Sequence, residues 1–191
     1  MDLYDEKGER LYLNKSERVS FEMVARKRKR TQRTFALVLL HTGCRISEAL
    51  SLMYSSIDFN AKCITIECLK KRKNGVFRAV PVPDYFLDTL DLVHGIKESK
   101  KDQLLWLWSR QHATRIIKSI MDEAGIYGAM ASPKGLRHGF GVYAISECRI
   151  SLNLVQKWLG HADMKTTAIY ANAVGDEERN IAARMWGESI K

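Results

Sequence analysis

The spacing of apolar and polar residues predicts a mainly α-helical chain with one small antiparallel β-hairpin or sheet. Tyr12 and Leu13 are followed by a capping-box pattern, in which Asn14 comes three residues before Glu17. Because these two side chains can satisfy the free amides at a helix start, we expect a helix from about Lys15.

Segment 34–42 is too densely apolar to be the buried face of a surface helix. It predicts a core helix that ends at Gly43. Arg45 and Glu48 follow directly. Since arginine is rarely buried without a partner, we expect Glu48 to pair with Arg45 or to orient it.

Between residues 62 and 83, the spacing of apolar and polar residues changes from the helical period to that of β-strands. The β-rich runs 63–66 and 76–80 are joined across Asn74–Gly75, the dipeptide typical of a tight hairpin turn. Such a hairpin either protects its exposed edge with charge or places an ammonium group in a DNA groove. The cations just ahead of the turn are Lys70, Lys71, Arg72 and Lys73.

Helical patterns return after residue 83. They predict helices over 84–93, 109–124, 132–147, 150–159 and 176–186. The last of these carries an apolar side that either packs on its own domain or docks on a neighbouring subunit. Segment 95–102 is a polar connection.

Segment 159–170 predicts a helix end, a turn and a second helix. Gly160 suits the helix end, His161 lies in the turn, and Asp163 can cap the helix that presents Tyr170. Taken alone, Tyr170 has two interpretations: a packing residue with a hydrated hydroxyl, or a reactive phenol.

The chain of 191 residues fits one domain. We expect 1–11 to be an N-terminal extension or a linker remnant and 12–191 to be the domain. The start of the chain lacks the pattern of a signal peptide, no apolar run has the length of a membrane span, and the four cysteines lack metal or redox spacing. A cytoplasmic protein with free thiols is the expectation.

A formal net charge of +9 favours a polyanionic partner such as nucleic acid, with an anionic membrane less favoured because no amphipathic anchor is present. Five cations come together after the first predicted helix. They form a solvated face, a connection between helices, or a set of phosphate contacts. These residues are Arg26, Lys27, Arg28, Lys29 and Arg30.

The polar residues that stand out share one chemistry, since they are cations and hydrogen-bond donors plus one phenol. Phosphoryl transfer without a metal needs donors that balance the charge of the transition state, a nucleophile and an acid for the leaving group. No carboxylate cluster suits a metal pair, which argues against a two-metal nuclease. The set comprises Arg45, Lys73, Lys134, Arg137, His161 and Tyr170.

Three sequence segments, which contain Arg45, Arg137 and His161, resemble the catalytic domain of tyrosine recombinases, the phage integrase family. They are 42–50 (TGCRISEAL), 135–140 (GLRHGF) and 159–161 (LGH), the last followed by Tyr170. The resemblance covers about 12–186. It implies a fold for breaking and rejoining double-stranded DNA, no cofactor or metal, and four subunits assembled on DNA at the nucleoid.

The resemblance also implies a role for each matching residue. Arg45 and Arg137 resemble the two active-site arginines, and Glu48 the acid that supports the first. His161 resembles the histidine that binds the phosphate. Tyr170 resembles the nucleophile that forms a 3′-phosphotyrosyl link and conserves the bond energy for rejoining.

Two lysines complete the comparison with the family. Lys73, judged by its distance from Pro81, resembles the hairpin lysine that protonates the 5′-hydroxyl leaving group. Lys134 stands where the family usually has histidine, an arrangement similar to type IB topoisomerases. Lysine is a poorer base than imidazole at neutral pH.

A site-specific recombinase is therefore the leading hypothesis. One alternative is a topoisomerase-like enzyme that relaxes DNA, which Lys134 suggests. The other is a DNA-binding regulator that keeps the fold without cleaving. We do not expect His138 to replace the missing histidine, because it projects about 100° away from Arg137 on the helix.

Overall fold

The computed structural model of this protein describes residues 2–69, 75–172, 182, 183 and 185. Eight α-helices and three strands are found in these ranges, which confirms the predicted mainly helical fold with a small antiparallel sheet. The helices are α1 (Lys15–Lys27), α2 (Arg30–Thr42), α3 (Ile46–Leu50), α4 (Asp84–His94), α5 (Arg110–Glu123), α6 (Pro133–Val142), α7 (Leu152–Leu159) and α8 (Lys165–Ala168). The strands are β1 (Ile57–Asp58), β2 (Cys63–Glu67) and β3 (Phe77–Pro81).

The three strands pair in chain order. β2 and β3 form the predicted hairpin, with Cys63 opposite Pro81 and Glu67 opposite Phe77. β1 was not predicted, because two residues are too few to show an alternating pattern. Residues 70–74, which include the hairpin cations and Asn74, lie outside the described residues.

Helix ends follow the local chemistry of the chain. The Asn14 side chain accepts from the Glu17 amide and the Glu17 carboxylate accepts from the Asn14 amide, so the predicted capping box is present. Gly43 ends α2 with φ +60°. A Cβ there would lie 2.6 Å from the Phe140 ring, so both the backbone conformation and the packing require glycine.

Two predicted boundaries differ from the structure. α2 begins at Arg30 rather than near residue 34, so the end of the basic run belongs to the helix. The helix expected over 132–147 ends at Val142, and a π-helical turn, Tyr143–Glu147, continues it. The predicted helix over 176–186 lies largely outside the described residues.

The buried side chains form two clusters on either side of α6. The larger surrounds α2, where Phe35, Leu37 and Leu39 are almost fully buried. The smaller contains Leu3, Tyr12, Phe140, Leu159 and Tyr170. Segment 3–11 therefore packs on the body of the protein. None of the described helices has the length and apolarity needed to cross a membrane.

Candidate active site

The N-terminal end of α3 holds the first predicted arginine. Glu48, fully buried, accepts from the Arg45 backbone amide at 2.8 Å and from Arg45 Nη1 at 2.9 Å. The Arg45 side chain keeps 25% of its surface exposed. Glu48 thus fixes a guanidinium that still faces an open cleft.

A second arginine, which sequence reasoning missed, shares the same carboxylate. Arg78 of β3 donates from Nη2 to Glu48 Oε2 at 2.6 Å. Burial opposes the charge on Glu48, but the hydrogen bond and ion pair with Arg78 outweigh it and lower the Glu48 pKa. The signal in the sequence was a lone arginine alternating with apolar residues on a strand.

Arg137 lies in α6 and is 3% exposed. It donates from Nη1 to the Gly43 carbonyl at 2.7 Å and from Nη2 to the Leu159 carbonyl at 2.8 Å. Burial and the nearby charge of Arg45 lower its pKa to about 10, so it stays protonated at neutral pH. Its Nε is buried without a hydrogen-bond partner among the described residues.

His161 follows the end of α7 and is 7% exposed. Its Nδ1 lies 2.9 Å from Thr167 Oγ1, while no described group bonds its buried Nε2. Burial, with the charges of Arg137 and Arg45, lowers its pKa to about 3. The neutral ring lines a cleft of about 190 Å³ together with Arg45.

Tyr170 lies in a short 3₁₀ turn after α8 and is fully buried. Its ring stacks on His161, with ring centroids 6.1 Å apart and an interplanar angle of 23°. Burial raises its pKa to about 12, although Arg137 and Arg45 oppose the shift. Asp163 accepts from the amide of Lys165, the first residue of α8.

The Tyr170 hydroxyl lies 3.2 Å from Nδ1 of His138, a fully buried side chain that sequence reasoning set aside. Burial, with the charges of Lys134 and Arg137, lowers the His138 pKa to about 4. With the imidazole neutral, the Nε2–H tautomer makes Nδ1 the acceptor from the Tyr170 hydroxyl, and the Nδ1–H tautomer makes it the donor. His138 was set aside because it projects about 100° away from Arg137 on the helix, but Tyr170 contacts α6 at His138.

Lys134 is exposed at the start of α6, where Ser132 caps the helix. It lines an open cleft of about 430 Å³ with Arg45, Arg137 and Arg110. The structure thus brings Arg45, Lys134 and Arg137 to one cleft, and Arg45 also borders the cleft of His161. Lys73, Lys70, Lys71 and Arg72 lie outside the described residues.

The other basic run lies at the far end of α2 from Gly43, about 20 Å away for a helix of 13 residues. Arg26 pairs with Glu22 at 2.6 Å, and Arg28 pairs with Glu123 at 2.8 Å. Lys27, Lys29 and Arg30 are exposed at the surface. Two of the five predicted DNA-binding residues are thus engaged in ion pairs within the protein.

The clefts are rich in cations. Arg45 and Arg78 share the Glu48 carboxylate, and among the described residues Arg137 bonds only backbone carbonyls. Within the described ranges, no group of three or more His, Cys, Asp or Glu side chains is arranged to hold a metal ion. The arrangement suits a bound anion with a phenol beside it. The family model described as "Phage integrase family" matches residues 9–176.

This chain belongs to the phage integrase family. It is 31% identical over 171 residues to tyrosine recombinase XerD of Bradyrhizobium diazoefficiens, covering 80% of this chain and 52% of that protein. It is 29% identical over 163 residues to tyrosine recombinase XerA of Thermococcus onnurineus, covering 79% of this chain and 54% of that protein. The chain thus spans about half the length of these curated relatives.

Solved structures of this family share the fold. A crystal structure of XerA recombinase aligns with a TM-score of 0.77 and 22% identity, over 93% of this chain and 66% of that one. The catalytic domain of bacteriophage HP1 integrase aligns with a TM-score of 0.65 and 21% identity, over 96% of this chain and 100% of that one. These alignments confirm the predicted integrase catalytic-domain fold.

Proposed function

We propose that this member of the phage integrase family is a site-specific DNA recombinase that cleaves and rejoins strands through Tyr170. One observation carries the proposal. Nε of Arg137 and Nε2 of His161 are buried near Tyr170 and lack partners among the described residues. Because a buried unsatisfied donor costs about 1–3 kcal/mol, this geometry favours an incoming acceptor such as a phosphate oxygen.

The scissile phosphate would bind between Arg45, Arg137 and His161. Preorganised donors there stabilise the extra charge of the pentavalent transition state. The Tyr170 oxygen forms a bond to phosphorus as the bond to the 5′-oxygen breaks. Lys73, the residue that resembles the family's hairpin lysine, would protonate that leaving oxygen. The phosphotyrosyl bond retains the energy of the original linkage, so rejoining is the reverse step.

Tyr170 must lose its proton before or as it attacks. In the Nε2–H tautomer of the neutral His138, Nδ1 accepts from the Tyr170 hydroxyl and is placed to take that proton. Full burial of Tyr170 means that its turn must move toward the phosphate when DNA binds. Lys134, exposed in the cleft, would donate to a phosphate oxygen rather than act as a base.

The DNA surface would extend from this cleft. Arg110 and Thr114 of α5 line it beside Lys134, and the hairpin residues Lys70, Lys71 and Arg72 would contact the flanking backbone. A solved relative is described as XerH recombinase bound to its difH substrate, with a TM-score of 0.73 and 23% identity. We extend the proposal to a tetramer on DNA, formed by a cytoplasmic protein associated with the nucleoid, with segment 176–191 docked on a neighbouring subunit.

The basic run Arg26–Arg30 would contribute less to DNA binding than the cleft. Its distance from Gly43 and the ion pairs of Arg26 and Arg28 leave mainly Lys27, Lys29 and Arg30 for phosphate contacts. We assign them to DNA outside the cleavage site.

Covalent trapping tests the chemistry. The protein is mixed with nicked duplexes from its genomic neighbourhood, without metal, and SDS-resistant adducts are sought. Tyr170→Phe should abolish the adduct and leave DNA affinity nearly unchanged, whereas Tyr127→Phe, at an exposed tyrosine, should retain it. An adduct that survives Tyr170→Phe would identify another nucleophile. Relaxation of supercoiled DNA without a specific site would favour the topoisomerase alternative.

A further inference from the structure

Arg78 joins three elements of the site without reaching its cleft. Its side chain is 3% exposed and donates in three directions. Nε donates to the Trp158 carbonyl at 2.6 Å, Nη1 to Cys68 Sγ at 3.1 Å, and Nη2 to Glu48 at 2.6 Å. Trp158 lies in the last turn of α7, Cys68 follows β2 on the turn side of the hairpin, and Glu48 lies in α3.

The contact with α7 bears directly on His161. The last carbonyls of a helix lack partners within it. In α7, the Trp158 carbonyl accepts from Arg78 and the Leu159 carbonyl from Arg137. Two cations therefore hold the C-terminal end of α7, where the helix dipole also favours positive charge. The turn that carries His161 begins there.

The contact with Glu48 bears equally on Arg45. Glu48 is the carboxylate that holds both the backbone and the guanidinium of Arg45. Burial opposes the charge of Arg78, but its hydrogen bond and ion pair with Glu48 outweigh this and raise the Arg78 pKa. Arg78 is thus one contact away from Arg45 and from the His161 turn.

We propose that Arg78 is a positioning residue for the reaction: it sets the separation of Arg45 and His161 across the phosphate cleft through Glu48 and the Trp158 carbonyl. The inference rests on the proposed function. Charge alone does not require an arginine here, because a buried ion pair often stabilises no more than apolar packing does. The planar fork of arginine can hold two fixed acceptors at once, which an ammonium group cannot do with the same geometry.

Arg78→Lys is the test, because it keeps the charge and removes the fork. Cleavage is measured in single turnovers at saturating DNA, on duplexes with either a normal phosphodiester or an uncharged methylphosphonate at the cut site. Correctly placed arginines make the wild type prefer the charged phosphate. We expect Arg78→Lys to reduce that preference by about tenfold or more, toward the value of Arg45→Ala, with DNA affinity changed less than about threefold.

Loss of folded protein cannot imitate this result. A smaller folded fraction slows both substrates equally, and their ratio is taken within one preparation. Arg78→Gln, which keeps an amide donor, is the second variant if Arg78→Lys does not fold. Arg10→Lys is the matched control, because Arg10 also holds a glutamate with its fork, at 2.7 and 2.8 Å from Glu17, but lines neither cleft. It should leave the ratio unchanged.

Two outcomes would overturn the inference in different ways. If the wild type forms the Tyr170 adduct and the ratio is the same in Arg78→Lys, Arg78 only packs, and the proposed function stands. If the wild type forms no adduct on the phosphodiester, the proposed function fails and the positioning role fails with it.

Discussion

At the scale of single residues, the position of Tyr170 depends on a residue with no side chain. A Cβ on Gly141 would lie 2.6 Å from the Tyr170 ring. Glycine inside a helix costs about 1 kcal/mol relative to alanine, so helix propensity alone would favour alanine there. The ring contact explains the glycine. Gly141 and His138 are three apart and so share the α6 face on which Tyr170 lies.

We therefore expect Gly141→Ala to lower the free energy of unfolding by about 1–3 kcal/mol, because the ring must shift to admit the methyl group. Adduct formation should fall as the phenol moves. Urea denaturation checks the first effect and single-turnover cleavage the second. In a Tyr170→Ala background, the same change should instead be neutral or stabilising. Destabilisation of equal size in both backgrounds would place the strain elsewhere in α6.

The limits of sequence reasoning at this scale are physical. Arg45 and Glu48 were expected to pair from their spacing on one helix, and they do. His138 and Arg78 were missed because their partners are 32 and 30 residues away and lie in other elements. Gly141, three positions after His138, was the available signal, since a glycine there leaves room for another side chain beside the histidine.

At the scale of elements, local signals placed the helices well and the irregular segments poorly. The Asn14 box and the Ser109 cap act within a single turn, so the sequence contains all of their partners. The π-helical turn after α6 is also local, since the Cys148 amide donates to the Tyr143 carbonyl five residues earlier. Its sequence gives no signal, because the residue after it that has φ +54° is Arg149, where glycine would be expected.

Capping offers a prediction with an internal control. Ser132 Oγ accepts from the Gly135 amide at the start of α6, much as Asn14 does from Glu17 in α1. Ser132→Ala and Asn14→Ala should each cost about 1 kcal/mol of stability in urea denaturation. Only Ser132→Ala should also slow cleavage severalfold beyond its effect on folding, because α6 carries Lys134 and Arg137. Equal cleavage by both variants would show that the α6 start does not position the site.

At the scale of the whole molecule, charge should dominate DNA binding. Each phosphate contact releases counterions, so affinity should fall steeply and linearly on logarithmic axes as salt rises. Arg110→Ala should reduce that slope by about one, because Arg110 lines the cleft. Lys97→Ala should not change it, since Lys97 pairs with Asp91 elsewhere. Fluorescence anisotropy over a salt series measures both slopes, and a flat dependence would contradict DNA binding.

The stability of the whole fold should also fall in mild acid. Burial is the main cause that lowers the pKa of His41 and His138 to about 4 and that of His161 to about 3. Below the ordinary histidine pKa of about 6.5, these histidines bind protons in the unfolded chain but not in the folded protein. Stability therefore rises with pH between the folded pKa values and about 6.5. Each such histidine contributes a slope of up to about 1.4 kcal/mol per pH unit. The contribution is complete above pH 6.5 and is lost as pH falls toward 4 or 3.

Urea denaturation at pH 7.5 and 5.5 should show this loss of stability. His138→Gln should make the loss smaller, whereas His112→Gln, at an exposed position, should not. If His138→Gln leaves the difference between the two pH values unchanged, His138 is not held neutral in the folded protein.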